Sequence, residues 1–164
     1  MTQTLQAETA ALEMQGGKHL IFQLENRDYG IPILTVNEII GIMKITPIPK
    51  APEYVKGVIN LRGKIILIMD LRLKFDMPEK EHNEQTCIII VNRVLGNTTK
   101  QIGLVVDIVS EVVEIPSSEI EEPSEYITHN NCISGIGKVK DEVVMIVNVE
   151  EAVCSQEISD LLAD

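Results

Sequence analysis

The sequence predicts an all-β protein assembled from two copies of one small β-rich module in tandem, with no residues arranged for catalysis. Three observations carry this. There are only two Phe, three Tyr and no Trp, so the apolar content is aliphatic, and abundant valine and isoleucine favour pleated, half-buried surfaces. From His19 onward, short apolar segments alternate with turn chemistry at Glu25-Asn26-Arg27-Asp28, Thr46-Pro47-Ile48-Pro49, Met77-Pro78, 92–98 and 117–131, the spacing of barrels and sandwiches. Self-similarity is the third. Residues 57–71 align without gaps on 135–149, apolar on apolar with Asp70 on Asn148, and 29–40 align on 102–113, pairing Gly30 with Gly103 and Glu38 with Glu111.

Taken in order, residues 1–17 are mostly polar or small and form a loose arm, in which Leu5, Leu12 and Met14 could line a transient helix. Residues 22–26 and 88–92 open the two copies as strands. One helical turn over residues 34–36 and a strand through Ile45 follow in the first copy. Each copy then has a β-hairpin with a charged corner, Arg62-Gly63-Lys64 or Lys140-Asp141-Glu142. Gly63 supplies the permissive backbone. Asp70 and Asn148 stand where a side chain can cap a first helical turn, and the second helix, 150–162, should bury Val153, Ile158, Leu161 and Leu162. The chain thus divides into an arm (1–17), a first barrel subdomain (18–77), a polar joint (78–85) and a second barrel subdomain with a C-terminal helix (86–164). Exchange of strands between the two is left open.

Composition excludes several function classes. With 14 basic against 25 acidic residues the net charge is −11, which repels phosphate backbones, so nucleic acid is not an expected partner. Cys87, Cys132 and Cys154 lie far apart without a C-x-x-C pair, which suits inert thiols in a reducing compartment. The longest clean apolar run, 65–69, is closed by Lys64 and Asp70, too short for a membrane span. With no basic leader, a soluble cytoplasmic protein is expected. Phosphate-loop, Walker and nucleophile-elbow motifs are absent, and His19, His82 and His129 lack ligand spacing. Neither a metal nor a cofactor is expected. Glu119, Glu121, Glu122 and Glu125 read as a solvated surface run.

Two features bear on function. The strand 65–71 is apolar on both faces, so something must cover its second face: the other copy, or a partner in a groove at the junction. The Arg62-Gly63 corner is also replaced by Lys140-Asp141 in the second copy, and duplicated copies diverge where function lies in one of them. Glu38, matched by Glu111, suggests instead a role common to both copies, such as bonding a loop amide.

Val58-Ile59-Asn60-Leu61-Arg62-Gly63, followed by Ile66-Leu67-Ile68-Met69-Asp70-Leu71-Arg72 and Phe75, together with Tyr29-Gly30-Ile31-Pro32-Ile33-Leu34-Thr35-Val36-Asn37-Glu38-Ile39, resembles the CheW chemotaxis coupling family. The likeness spans about 19–162. It implies two five-stranded SH3-like β-barrels around a shared hydrophobic core, without enzymatic activity. It further implies an adaptor that bridges chemoreceptor cytoplasmic tips to the regulatory domain of the CheA histidine kinase in receptor–kinase arrays, cytoplasmic and not itself inserted in the membrane. Carried over to this sequence, the resemblance puts Ile33, Val36, Glu38, Ile39, Gly57, Asn60, Arg62 and Gly63 on the receptor-facing side. The kinase-facing candidates are Ile42, Met43 and Ile45, expected as an exposed apolar strand, with Lys56 beside the hairpin and Gly135 and Ile136 of the second copy. Two rivals remain: the same adaptor in a circuit other than motility, and a small ligand-binding or hydrolytic barrel using Glu38, Glu111 or the acidic loop in a deep polar cleft.

Overall fold

The computed structural model describes residues 16–95, 97–123 and 132–153. In chain order these form β1 (Gly16–Leu24), β2 (Arg27–Pro32), a 3-10 turn (Ile33–Thr35), β3 (Val36–Gly41), β4 (Val55–Leu61), β5 (Lys64–Asp70) and α1 (Leu71–Lys74). The strands and helix then recur, with the 3-10 turn moved and one short strand added after the third, as β6 (Cys87–Leu95), β7 (Thr98–Val106), β8 (Ile108–Pro116), a 3-10 turn (Ser117–Glu119), β9 (Ile120–Glu121), β10 (Ile133–Val139), β11 (Glu142–Val147) and α2 (Val149–Val153). The repeat extends to detail, since the register of β4 on β5 shifts between Val55 and Gly57 and that of β10 on β11 between Ile133 and Gly135. Tight two-residue corners close β1–β2, β4–β5 and β10–β11, with both central residues at positive φ in each, the backbone that matches strand twist. The caps form as expected: Asp70 Oδ1 accepts from the Arg72 amide at 2.9 Å and Asn148 Oδ1 from the Glu151 amide at 3.1 Å.

The two barrels are not built from consecutive halves of the chain. Barrel one has the strand order β3-β6-β7-β5-β4 and barrel two β8-β1-β2-β11-β10-β9. The hairpin β1–β2 therefore leaves residues 18–77 to pair with β8 and, in parallel, with β11, while β6–β7 makes the reciprocal move onto β3 and β5. Spans 18–77 and 86–164 each contribute strands to both barrels. Strand composition explains this, because β5, β6 and β7 are apolar on both faces and need cover twice. Leu67, Met69, Ile89, Val91, Ile102 and Leu104 point into a core shared with Phe22, Tyr29 and Ile133 of barrel two, while Ile66, Ile68, Ile88, Ile90 and Val105 fill the interior of barrel one. The second face of 65–71 is thus covered by the other copy. In the shared core Phe22, Tyr29 and Phe75 stack with ring centroids 5.8 Å apart at each step.

Several boundaries differ from expectation, and the opening strand expected over 22–26 ends at Leu24, with Glu25 and Asn26 forming the corner. β1 begins at Gly16, which pairs with Pro116, so Gly16 and Gly17 belong to the sheet; the rest of the arm lies outside the described residues. The turn before β3 covers Ile33–Thr35, and β3 ends at Gly41 rather than Ile45, because Gly41 pairs with Cys87, the first residue of β6, and beyond it the strand has no partner. The helix expected over 150–162 is described from Val149–Val153, with Val153 buried; Ile158, Leu161 and Leu162 lie outside the described residues.

Arg72 ties the exchanged hairpin to the body. It is 7% exposed. Its guanidinium donates to both carboxylate oxygens of Asp107, at 2.6 and 2.8 Å, to Glu25 at the β1–β2 corner, and to the Pro78 carbonyl at 2.8 Å. Asp107 is the residue at which the chain crosses from β7 to β8, and its Oδ2 also accepts from the Glu25 amide at 3.0 Å. Burial alone would raise the Asp107 carboxyl, but these donors and the arginine charge hold it below the ordinary carboxylate range. Replacing Arg72 by Met leaves a largely buried carboxylate without its partner, and urea denaturation should show a loss of about 3 kcal/mol.

Gly57 and His19 set two further constraints. Gly57 has φ +140°, and a Cβ there would lie 2.0 Å from the Thr46 carbonyl oxygen, where Thr46 and Val58 exchange backbone hydrogen bonds that close barrel one. Gly57→Ala should therefore cost at least about 2 kcal/mol, seen as a lowered denaturation midpoint. His19 is buried, and its Nδ1 lies 2.9 Å from the Gly17 carbonyl while Nε2 has no partner among the described residues. Burial, partly offset by the Gly17 hydrogen bond, lowers its pKa. The neutral ring's contribution is complete above the unfolded value of about 6.5 and declines as the pH falls toward the lowered folded value. The melting temperature should fall on acidification through this window, and fall less in a His19→Gln variant.

Candidate functional site

Four of the recognition candidates, Glu38, Asn60, Arg62 and Gly63, come together at one end of barrel one. The β4–β5 corner holds Arg62 at φ +53° and Gly63 at φ +84°, and Asn60 Oδ1 accepts from the Gly63 amide at 2.9 Å, so asparagine and glycine together fix the shape that presents the arginine. Arg62 reaches across to Glu38 on β3 and forms an ion pair with it. The arginine side chain is 69% exposed and that of the glutamate 29%. Exposed pairs of this kind contribute roughly 1 kcal/mol or less, so a competing acceptor can displace Glu38. Ile39, beside Glu38, is an exposed large apolar residue, as is Ile65 on β5.

Other expected site residues sit deeper. Ile33 and Val36 are half-buried and pack against the shared core, while Gly57 is buried under Thr46 and shapes the barrel rather than offering a contact. The role expected to be common to Glu38 and Glu111 is not observed. Glu38 pairs with Arg62, whereas Glu111 is exposed and has no hydrogen bond or ion pair among the described residues, because a lysine replaces the arginine of the opposite corner.

The kinase-facing candidates are scattered. Ile42, Met43 and Ile45 do not form an exposed strand: past the end of β3 the chain turns them inward, half-buried against the interior cluster of barrel one. Lys56 pairs with Glu79 in the joint. Met43, Ile45, Pro47, Val55, Lys56 and His82 together line an open concavity of about 440 Å³. Gly135 is a buried strand position rather than a corner, because β10 bulges there and a Cβ would meet Ile120 at 2.9 Å. Ile136 is half-buried against the shared core.

Sequence reasoning missed Leu34, which at 73% exposure is the most exposed large apolar side chain among the described residues. It stands on the 3-10 turn where the chain crosses from barrel two to barrel one. The equivalent position in the repeat is Asp107, which Arg72 grips. An apolar residue opposite an aspartate in the alignment was the available signal.

The geometry offers a surface rather than a catalytic centre. Asp70 is a carboxyl that burial raises above its ordinary value, and it is engaged in capping α1. No group of three or more His, Cys, Asp or Glu side chains among the described residues could hold a metal ion, and no described helix is long and apolar enough to cross a membrane.

Comparison with known proteins agrees with this reading. Residues 18–157 match the family model described as CheW-like domain. The chemotaxis protein CheW of Klebsiella aerogenes is 36% identical over 149 residues, covering 90% of this chain and 87% of that protein. The chemotaxis protein CheW of Helicobacter pylori is 34% identical over 131 residues, 79% of this chain and 77% of the other. Among solved structures, the scaffolding protein TtCheW from Thermoanaerobacter tengcongensis superposes with a TM-score of 0.78 at 34% identity, covering 87% of this chain and 95% of that one. The tandem barrels, the Asn60-Leu61-Arg62-Gly63 corner and these matches have one conclusion: the chain belongs to the CheW-like family of non-enzymatic chemotaxis scaffolds.

Proposed function

We propose that this protein couples the cytoplasmic tips of chemoreceptors to the regulatory domain of the CheA histidine kinase, within arrays beneath the membrane. The observation that carries this reading is the exposed Arg62, held by a rigid corner and paired with Glu38, in a barrel whose 3-10 turn and β3 also expose Leu34 and Ile39. A helical receptor tip supplies what this surface lacks. Its apolar face covers Leu34 and Ile39 and reaches the half-buried Ile33 and Val36, while a carboxylate or backbone carbonyl at its edge takes over Arg62. Asn60 and Gly63 position the arginine, and Gly57 acts from within the barrel.

The kinase contacts belong on surfaces that leave this end free. The concavity beside Lys56, with Met43 and Ile45 at its margin and Ile42 behind them, is one candidate, and the β10 region around Gly135 and Ile136 is the other. Transmission then needs no chemistry. Each partner has only to bind one arrangement of the assembly better than another.

Arg62→Asp tests the receptor side. The variant should fold normally and retain the kinase regulatory domain in a pull-down, yet lose at least about tenfold in affinity for a receptor-tip fragment. Unchanged receptor affinity would remove Arg62 from the site, and loss of kinase binding as well would point to a structural role instead.

A further inference from the structure

Barrel two carries a counterpart of the Glu38 and Arg62 position that is open. Glu111, the repeat equivalent of Glu38, and Lys140, the equivalent of Arg62, line a concavity of about 170 Å³ at the mouth of barrel two, together with Gln23, Asp28, Ser110 and Glu142. That volume would hold several waters at ~30 Å³ each, so a planar side-chain head group fits. Asp28 is already engaged by the Gln23 amide at 3.0 Å. Glu111 and Lys140 have no bonded partner among the described residues although they share the same wall. A lysine is a point charge on a flexible stem and does not reproduce the fork of a guanidinium.

The other barrel identifies the ligand chemistry, since there the equivalent glutamate is occupied by a guanidinium from its own corner. The same concavity also has an apolar part, formed by Ile21, Val113, Val139 and Val144.

We infer that the mouth of barrel two receives an arginine side chain from a protein partner, its guanidinium bonded to Glu111 and its methylenes lying against Ile21, Val113 and Val144. Barrel one fills this position in cis; barrel two fills it in trans. Three carboxylates, Asp28, Glu111 and Glu142, face one ammonium, Lys140, in the lining, so the site favours a cation, and salt should weaken it. The inference concerns barrel two and does not rest on the receptor reading of barrel one.

L-argininamide is the probe, titrated into the full-length protein at low salt and followed by amide NMR, with L-norleucinamide as the uncharged-side-chain control. Saturable shifts should appear at 110–113 and 140–142 with argininamide alone. Glu111→Gln should weaken the fitted affinity at least about tenfold, whereas Glu119→Gln should leave it unchanged. A Lys140→Arg, Asp141→Gly double variant, which restores the arginine-glycine corner, should close the mouth in cis and exclude the probe while its melting curve stays cooperative. Shifts scattered over the acidic surface, equal shifts in Glu111→Gln, or undiminished binding in the folded double variant would each overturn the inference.

Discussion

A strand that is apolar on both faces must be covered twice, and the architecture follows from that requirement. β5, β6 and β7 present alternate side chains to two separate interiors, one within barrel one and one shared between the barrels. A single small sheet with one wet side could not satisfy them. The chain does so by lending each copy's leading hairpin to the other, so that the two parallel pairings, β5 with β7 and β2 with β11, join one half of the sequence to the other. The barrels are consequently one body, and a load applied at the Arg62 corner is carried by side chains packed from both copies.

Arg72 and Asp107 show how an exchange of this kind is locked. Hydrophobic cover is undirected and would tolerate a hairpin that slides or rotates. A guanidinium bonded to both oxygens of one carboxylate tolerates neither. By reaching Glu25, Asp107 and the Pro78 carbonyl at once, Arg72 fixes the borrowed hairpin, the crossing between the barrels and the start of the joint against one another. Its repeat equivalent is Glu150, so the lock exists on one crossing only, and the other carries the exposed Leu34 instead.

The repeat, the strands, the caps and the hairpin corners were legible in the sequence because each leaves a local trace: alternation, a glycine or asparagine at a corner, an aspartate before a helix. The exchange of hairpins leaves none, since pairing between distant strands is decided by which face each buries, and a doubly apolar strand such as β5 fits several neighbours equally well. For the same reason Asp70-Leu71-Arg72 could be recognised as a signature without revealing that Arg72 would find its partners near residues 25 and 107. At the candidate site, Arg62 stood out because the second copy lacks it. Ile42, Met43 and Ile45 read as an exposed strand because apolar alternation continues past Gly41, whereas the hydrogen-bonding partner, β6, does not.

The reciprocal exchange has a consequence for how such a molecule could be divided. Two separate chains with one copy each could make the same body by trading hairpins, but their union would depend on dilution. Joining them through 78–85 replaces that dependence with a fixed effective concentration, in the millimolar range for short tethers. Once assembly no longer requires the two copies to be identical, either is free to change its surface alone. One corner can then keep its arginine while the other becomes a lysine and an aspartate, and a scaffold with two different ends arises from a module that had one.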